Sequence, residues 1–377
     1  ATLLVVNNDG EDWSNNFIDF LNFSTKVSIE NKTTITNDVA LDLLSKYNTT
    51  QFIEIPEGFS ANITEHVTNN RNVTAAVKFY CVFSGAGIFE GVGSSMIDNF
   101  VNLFNRYIAP DVLDTEKSTI IKGEIKLGVD PALLSSLMYL QTIAMPITIM
   151  ILLIYAMQIA ATTVAMEKEE KTLETLLTLP IDRFAILMGK LSSSIFVAGV
   201  GALAYMVGYN YLLQSSMATI PTGTTLDLVS LGLVPSVFGY LLLGISLFAT
   251  LLSALALAVI ISAFAEDVRS AQSLVGYIWP LFFIPTFVLM YLDVNSLPFA
   301  LRILIYAIPY SHTLITSKAI IMGDYLTPLL GIVYVATFTL VLLYTASRLF
   351  ATEKILTAKL KFKGLRRRRK TVAEELQ

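Results

Sequence analysis

Five long apolar stretches constrain this chain more than any other feature. They cover residues 139–166, 191–213, 231–265, 271–292 and 326–346, and none contains a charged residue. A helix needs about 20 apolar residues to cross a bilayer core, whereas buried core helices have runs of about 10–14. The pattern therefore predicts a membrane protein with five visible spans. The third stretch is longer than crossing requires, so we expect it to be tilted, kinked or preceded by an interfacial turn.

The distribution of charge predicts the orientation. Only 15% of the residues are charged, against about a quarter in soluble domains. Residues 1–130 contain 17 acidic and 9 basic residues, whereas residues 348–377 contain 10 basic and 3 acidic ones. The positive-inside rule places the basic end in the cytoplasm, and five spans then place residues 1–138 outside. The run RRRRK at 366–370 fits a nucleic-acid patch or localisation signal, but beside a span it favours contact with anionic lipid.

All five N-x-S/T glycosylation acceptors of the chain lie in this first part. Acceptors mark exposed loops of externally facing segments, and their confinement to one side supports the orientation. The acceptors are Asn22, Asn31, Asn48, Asn62 and Asn72.

The first part alternates between strand and helix patterns. Residues 2–7, 26–30, 51–56 and 73–83 are apolar or β-branched and favour strands. Residues 14–23, 37–46, 60–68 and 94–107 favour helices. This alternation predicts a small α/β domain on a mixed sheet, with Cys81 buried in a strand and residues 111–130 as a polar connection to the membrane.

Two segments depart from simple spans. The chain begins with Ala1 and enters a strand at once, so we expect a first transmembrane helix that was cleaved or is absent from this sequence.

Residues 293–325 contain two short apolar pieces, 297–308 and 314–322, punctuated by Pro298 and Pro309. Pieces of this length predict outer re-entrant helices.

Several kinds of chemistry lack their sequence signatures. The apolar stretches contain no charge or histidine, which argues against ion-coupled transport. Gly189-Lys190 is followed by Leu191, so no phosphate-binding loop is present. His66 and His312 lie far apart and one cysteine is present, so we expect no metal site. No Ser-His-Asp set is evident, and we expect a chain that is not an enzyme and holds no cofactor.

A charged insert at residues 166–190 separates the first two spans. Glu167 and Lys171 are spaced for a helical pair, and Leu173, Leu176 and Leu177 form an apolar stripe. Pro180 ends this helix, and Asp182 can cap a second one beginning at Arg183. The insert could rest on the inner leaflet. Its glutamates fit anionic lipid poorly, which favours docking of a soluble subunit.

The insert resembles the signature loop of permease subunits of ABC exporters of the second type. Further segments resemble the family at Leu3–Gly10, Ile53–Ser60 and Ile308–Asp324. Together the similarities extend over about residues 3–350. The matching positions of the insert are Glu167, Glu169, Thr172, Leu173, Glu174, Leu176, Leu177, Pro180, Arg183, Ile186, Leu187, Gly189 and Lys190.

The resemblance implies six spans, a homo- or heterodimer of permeases, and a separate cytoplasmic ATPase that binds ATP and Mg. It makes the insert the coupling element, with Glu170 among its docking residues, and it assigns Pro309 and His312 to an outer gate. His312 could equally be a surface residue. Stretches 139–166 and 271–292 would line the substrate path, although lipid-facing or packing roles fit each side chain equally well. The path residues are Met145, Met150, Tyr155, Phe282, Phe283, Phe287 and Met290.

The sequence thus predicts an α-helical polytopic membrane protein, with five spans visible and six expected, and an external α/β domain. We expect the external domain at 1–138, the transmembrane domain at 139–350 and a basic cytoplasmic tail at 351–377. The expected function is export of an apolar or amphipathic substrate, with the bilayer but no nucleic acid as a partner. A membrane-anchored sensor or adhesion protein is the alternative. Acceptor-rich external domains and a permease without a fused ATPase favour an archaeal cell membrane.

Overall fold

The computed structural model describes residues 2–31, 33–68, 73–83, 90–170, 172, 183–218, 228 and 230–351. Its first part is a six-stranded mixed sheet of order β2-β1-β3-β4-β5-β6. The β1–β2, β1–β3 and β4–β5 pairs are parallel, and the other two pairs are antiparallel. The strands are β1 (Thr2–Asn7), β2 (Lys26–Asn31), β3 (Gln51–Ile55), β4 (Ala75–Phe83), β5 (Leu113–Ile121) and β6 (Glu124–Leu127).

Helices cover both faces of the sheet. Because successive strand residues point to opposite faces, Val5 packs under α1, α3 and α4, while Leu4 and Val6 pack under α2. The predicted α/β domain is therefore confirmed, and Cys81 is 2% exposed in β4 as expected. The helices of this part are α1 (Asp12–Ser24), α2 (Asn37–Tyr47), α3 (Phe59–Thr68) and α4 (Glu90–Ile108).

The expectation of a polar connection at residues 111–130 is wrong. This segment forms β5, a two-residue turn at Lys122-Gly123, and β6. Both turn residues have positive φ, 53° and 83°, as a tight hairpin with the twist of its strands requires. The first half of β5 is polar because much of it is exposed, so its composition masks its strand character.

In the part of the chain that the structure describes, five helical segments are long and apolar enough to cross a membrane, which confirms the predicted fold class. The third expected stretch begins its helix only at Val237, where Ser236 caps the first turn, so residues 231–236 precede the helix as a turn. The long helices are α5 (Pro131–Glu169), α6 (Arg183–Ala218), α7 (Val237–Ala263) and α12 (Leu326–Ala351). The remaining span consists of α8 (Val268–Gly276) and α9 (Trp279–Tyr291).

Proline residues shape two of these segments. Pro280 occupies the first turn of α9, where its missing N–H costs nothing, and the break from α8 precedes it. Two further helices, α10 (Phe299–Ala307) and α11 (Ser311–Met322), meet at an angle of 108° with Pro309 between them. This bent pair has the shape of a broken span or of the expected re-entrant segment.

The sheet part and the helical part share one apolar core. Phe83, Ile121 and Val129 belong to the same buried cluster as Met145 and Tyr310 of the helical part. The Lys122 Nζ atom also donates to the Gly232 carbonyl oxygen at 2.6 Å, in the turn before α7. The sheet therefore packs at the end of the helical part where α5 begins, and α5 leads away from it for 39 residues.

Candidate functional site

The end of α5, where the charged insert begins, is fastened to the turn between α7 and α8. The Lys168 Nζ atom donates to the Ala263 carbonyl oxygen at 3.0 Å and to the Ala265 carbonyl oxygen at 2.8 Å. The last carbonyls of a helix have no partner within it and carry partial negative charge. A lysine ammonium supplies both the missing hydrogen-bond donor and a positive charge. Lys168 of α5 therefore acts as a cap for the end of α7.

Glu169 makes the complementary contact to α8. Its Oε2 atom accepts a hydrogen bond from the Val268 backbone N–H at 3.3 Å. Asp267 caps the same helix through a reciprocal pair of bonds with Ser270, and these bonds hold the pKa of the Asp267 carboxyl below its usual value. Two carboxylates thus meet the positive end of α8, which favours negative charge.

Small apolar residues complete this contact beneath the charged groups. Ala165 of α5 packs with Ala265 and Ala271, and Val268 and Leu274 lie against them. Short side chains allow the helices to approach closely. We call the assembly of Lys168, Glu169, Ala263, Ala265 and Val268 the lysine staple. It joins the entry of the insert to two other membrane helices.

Other predicted insert residues are only partly described by the structure. The Thr172 hydroxyl donates to the Glu167 carbonyl oxygen at 2.8 Å, which turns the chain at the end of α5, and Glu170 caps that end. Leu173, Glu174, Leu177 and Pro180 lie outside the described residues. Arg183 and Lys190 lie in α6, where the structure describes their backbone only. Their docking roles stay predictions.

The predicted path residues divide into two groups. Met145, Phe282 and Met290 are buried in the chain, and the Phe282 ring packs against Tyr310 with centroids 4.4 Å apart. By contrast, Tyr155 is 65% exposed.

Phe283 and Phe287 are also partly exposed, and their rings stack at 4.3 Å along one side of α9. Met150 is partly buried against the core. The structure therefore does not bring the seven residues together on one surface of the chain.

The predicted gate residues lie at the corner between α10 and α11. His312 is 8% exposed, so it is not a surface residue. Its Nε2 atom lies 2.9 Å from the Tyr306 carbonyl oxygen, and its ring packs against Tyr334. A Cβ atom at Gly331 would lie 3.1 Å from His312 Nδ1, so the glycine lets α12 pack closely against the His312 ring. These contacts hold the corner against α12, and the gate role of Pro309 and His312 stays a prediction.

A buried hydroxyl cluster, which the sequence analysis missed, ties this corner to α7. The Thr313 hydroxyl lies 2.5 Å from that of Thr250 and 3.1 Å from that of Ser246. Thr316 adds a longer contact to Ser246 at 3.4 Å. In apolar surroundings a hydroxyl needs a partner, so these contacts fix α11 against α7. The sequence signal was a set of hydroxyl residues at helical spacing in otherwise apolar segments.

Four of the predicted glycosylation acceptors are in the described part of the chain. Asn22, Asn31 and Asn48 are exposed, and Asn62 is half-buried. Asn72 lies outside the described residues. The exposed positions leave room for a glycan, whose attachment stays a prediction. Within the described ranges, no group of three or more His, Cys, Asp or Glu residues could hold a metal ion.

Comparison with known proteins identifies the family. A crystal structure of a domain of a putative ABC type-2 transporter from Thermotoga maritima MSB8 is similar, with 15% identity and a TM-score of 0.30. The match covers 36% of this chain and 97% of that one. No curated protein matches. The family model described as ABC-2 family transporter protein matches residues 2–348. Because that match covers nearly the whole sequence, the chain belongs to the ABC-2 family of transporter proteins.

Proposed function

We propose that this chain is the permease subunit of an ABC exporter, driven by a separate ATPase that docks at the insert of residues 166–190. Members of the ABC-2 family are membrane components of transporters, so the chain is a multi-pass membrane protein and not itself an enzyme. The substrate would be apolar or amphipathic and would leave the cell. ATP and Mg would be bound by the ATPase.

The lysine staple is the observation that carries this proposal. Lys168 and Glu169 are the last two residues of α5 and lie within the first turn of the insert. Lys168 hydrogen-bonds to the end of α7 and the turn after it, and Glu169 to the start of α8. A push on the insert would therefore reach three membrane helices together. Such a connection is what a coupling element requires, because binding energy from a soluble subunit must move elements inside the bilayer.

The proposed orientation places residues 1–138 outside and the basic tail in the cytoplasm of a cell with an archaeal-type membrane. The geometry supports this arrangement because the sheet and the staple lie at the two ends of α5, which is about 58 Å long for its 39 residues. A hydrocarbon core of about 30 Å fits between them.

The proposed assembly contains a second permease copy, identical or related. The outward-facing Tyr155 and the stacked Phe283 and Phe287 support this, since exposed aromatic surface on a membrane helix faces either lipid or another chain. The substrate path would then lie between the two copies. Aromatic side chains facing that space would suit apolar cargo.

Copurification tests the proposal. The chain would be isolated from its native membrane, and bound proteins would be identified by mass spectrometry. We expect a soluble ATPase in the preparation, with ATP hydrolysis that falls when Glu170 and Glu174 are both replaced by Lys. The exposed Asp42→Lys substitution on α2 is the matched control, because it reverses an acidic charge far from the insert.

The outcomes separate the candidate functions. If no ATPase accompanies the chain and the double reversal leaves all activity unchanged, the coupling proposal fails and the sensor or adhesion alternative gains. If the ATPase binds, mass spectrometry of small molecules that copurify with the dimer identifies the substrate class.

A further inference from the structure

The first half of β5 has an unpaired edge. β4 pairs with β5 along its whole length, whereas β6 pairs only with residues 118–121. Within the described sheet, residues 113–117 therefore have a neighbouring strand on one side only. Gly128, with φ of 75°, turns the chain away just where a longer β6 would have continued along this edge.

The side chain of Asn105 already imitates a neighbouring strand at one position of this edge. Its Oδ1 atom accepts from the Leu113 N–H at 2.8 Å, and its Nδ2 atom donates to the Leu113 carbonyl oxygen at 2.9 Å. The backbone N–H and C=O groups of successive residues alternate between the two edges of a strand. Those of Thr115 and Lys117 therefore point to the same edge as those of Leu113. The Thr115 N–H turns back to the Asp114 carboxylate at 2.8 Å, which is a local substitute for a strand partner.

A groove follows this edge. It has a volume of about 860 Å³ and is lined by every residue from 113 to 118. Successive side chains point to opposite faces, so a cavity that touches all six runs along the edge rather than over one face. Asn102 of α4 forms one wall, and Leu127 and Gly128 close one end.

The lining of the groove is strongly acidic. Among the described residues of the lining, Lys117 is the one basic residue, and its ammonium pairs with Asp98 at 2.6 Å and with Asp130 at 2.9 Å. In the described chain no ion pair neutralises the other acids of the lining, Asp111, Asp114 and Glu116. The groove therefore combines an edge that lacks a strand partner at Thr115 and Lys117, where only side chains substitute for one, with an excess of negative charge.

We propose that this groove binds an extended basic peptide segment, which adds a strand to β5 beside Thr115 and Lys117. Main-chain hydrogen bonds supply affinity in this mode of recognition, and alternate side chains supply specificity. Basic side chains at every second position would meet Asp114 and Glu116, and the intervening side chains would face Asn102 of α4. The role goes beyond transport, because the groove belongs to the sheet domain and does not involve the insert or its ATPase.

The test uses the full chain in nanodiscs of uncharged phosphatidylcholine and a labelled synthetic peptide of alternating lysine and threonine. Fluorescence anisotropy reports binding, which we expect to be saturable. Two further peptides carry N-methyl groups, one on every lysine amide and the other on every threonine amide. Only one set of amides can face β5, so one methylated peptide should bind at least about tenfold more weakly and the other should not.

Variants locate the binding to the groove. Asp114→Asn combined with Glu116→Gln should weaken binding about tenfold and reduce its dependence on salt. Thr115→Pro removes the edge N–H that the peptide would take over from the Asp114 carboxylate, and it should weaken binding further, while Asp42→Asn on α2 should leave binding unchanged. Absence of binding overturns the proposal. Equal binding of the three peptides, or undiminished binding to the acidic-to-amide variant, does so too.

Discussion

The two ends of α5 are both fastened, but by different chemistry. At the sheet end, Asp130 caps the first turn of α5 and binds the side chains of Ser94 and Lys117 at 2.8 and 2.9 Å. At the far end, the Lys168 side chain binds the last carbonyl of α7 and a carbonyl in the turn that follows it. The first junction relies on paired opposite charges and the second on helix termini. The difference teaches that the sheet end should respond to pH and to loss of one partner more strongly than the staple.

Lys117→Met should give the largest effect. It leaves Asp98 and Asp130 facing each other without a cation, and unpaired charges in a partly buried site are costly. Both carboxylates keep some contact with water, so we expect a loss of about 2 kcal/mol in local stability. Amide hydrogen exchange in β5 and the first turn of α5 measures it. Lys126→Met, which removes a pair on the exposed β6, should cost much less; equal losses would mean that the junction has no special role.

Acid should loosen the sheet end and leave the contacts of Lys168 with the Ala263 and Ala265 carbonyl oxygens in place. Burial works to raise the pKa of Asp130, but hydrogen bonds from Lys117, Ser94 and the Ala132 N–H outweigh it and lower that pKa. A lowered pKa means that the stabilisation is complete above about pH 4, the unfolded value, and is lost as the pH falls through the folded one. The effect should be smaller than that of Lys117→Met, because Lys117 still pairs with Asp98 when Asp130 is protonated.

Hydrogen exchange of the first turn of α5, corrected for its intrinsic pH dependence, measures this acid response. Asp130→Asn keeps an amide acceptor and should remove the response. If the Lys168 contacts at the end of α7 opened at the same pH as the sheet end, the distinction between the two junctions would fail.

Lys168→Met should loosen the staple by about 1 kcal/mol, because it removes the side chain that caps the end of α7. Exchange at the end of α7 and the start of α8 reports it. Arg269→Met removes an exposed positive charge from the first turn of the neighbouring α8 and is the matched control. If both substitutions had the same effect, net charge rather than the two carbonyl contacts would matter.

Glu169→Gln should give the smallest effect, a few tenths of a kcal/mol, because its bond to the Val268 N–H is long and exposed. The amide oxygen can still accept that bond, so only the charge at the end of α8 is lost. Exchange of the Val268 amide and a thermal unfolding midpoint should be nearly unchanged. A loss larger than that of Lys168→Met would reverse the order of the two contacts.

Local patterns were sufficient to predict most of the elements. β1 to β4 and α1 to α4 follow from alternation and helical spacing, and the long apolar stretches follow from their composition. β5 and β6 were missed because the first half of β5 is polar and much of it is exposed, so it lacks the apolar pattern of a strand that is buried on both faces.

The contacts of the site were harder to predict because their partners are distant in sequence. Lys168 binds residues 95 and 97 positions away, and backbone carbonyls leave no signature in the sequence. The path residues lie on helices that are apolar all round, so spacing did not show that Phe282 faces inward and Phe283 outward. The buried Phe282 and the exposed Phe283 could be distinguished only from the packing of the helices.

The fixed length of α5 has a consequence for how this chain tolerates insertions. Its two junctions, at Asp130 and Lys168, are joined by continuous helix. One inserted residue would turn Lys168 by about 100° around the helix axis and shift it by about 1.5 Å. Only insertions of about seven or eleven residues would nearly restore the angle, and these would displace the staple by two or three turns. The number of residues between Asp130 and Lys168 is therefore fixed by both the rotation and the rise of the helix. Surface loops of the sheet domain have no such constraint and can accept insertions.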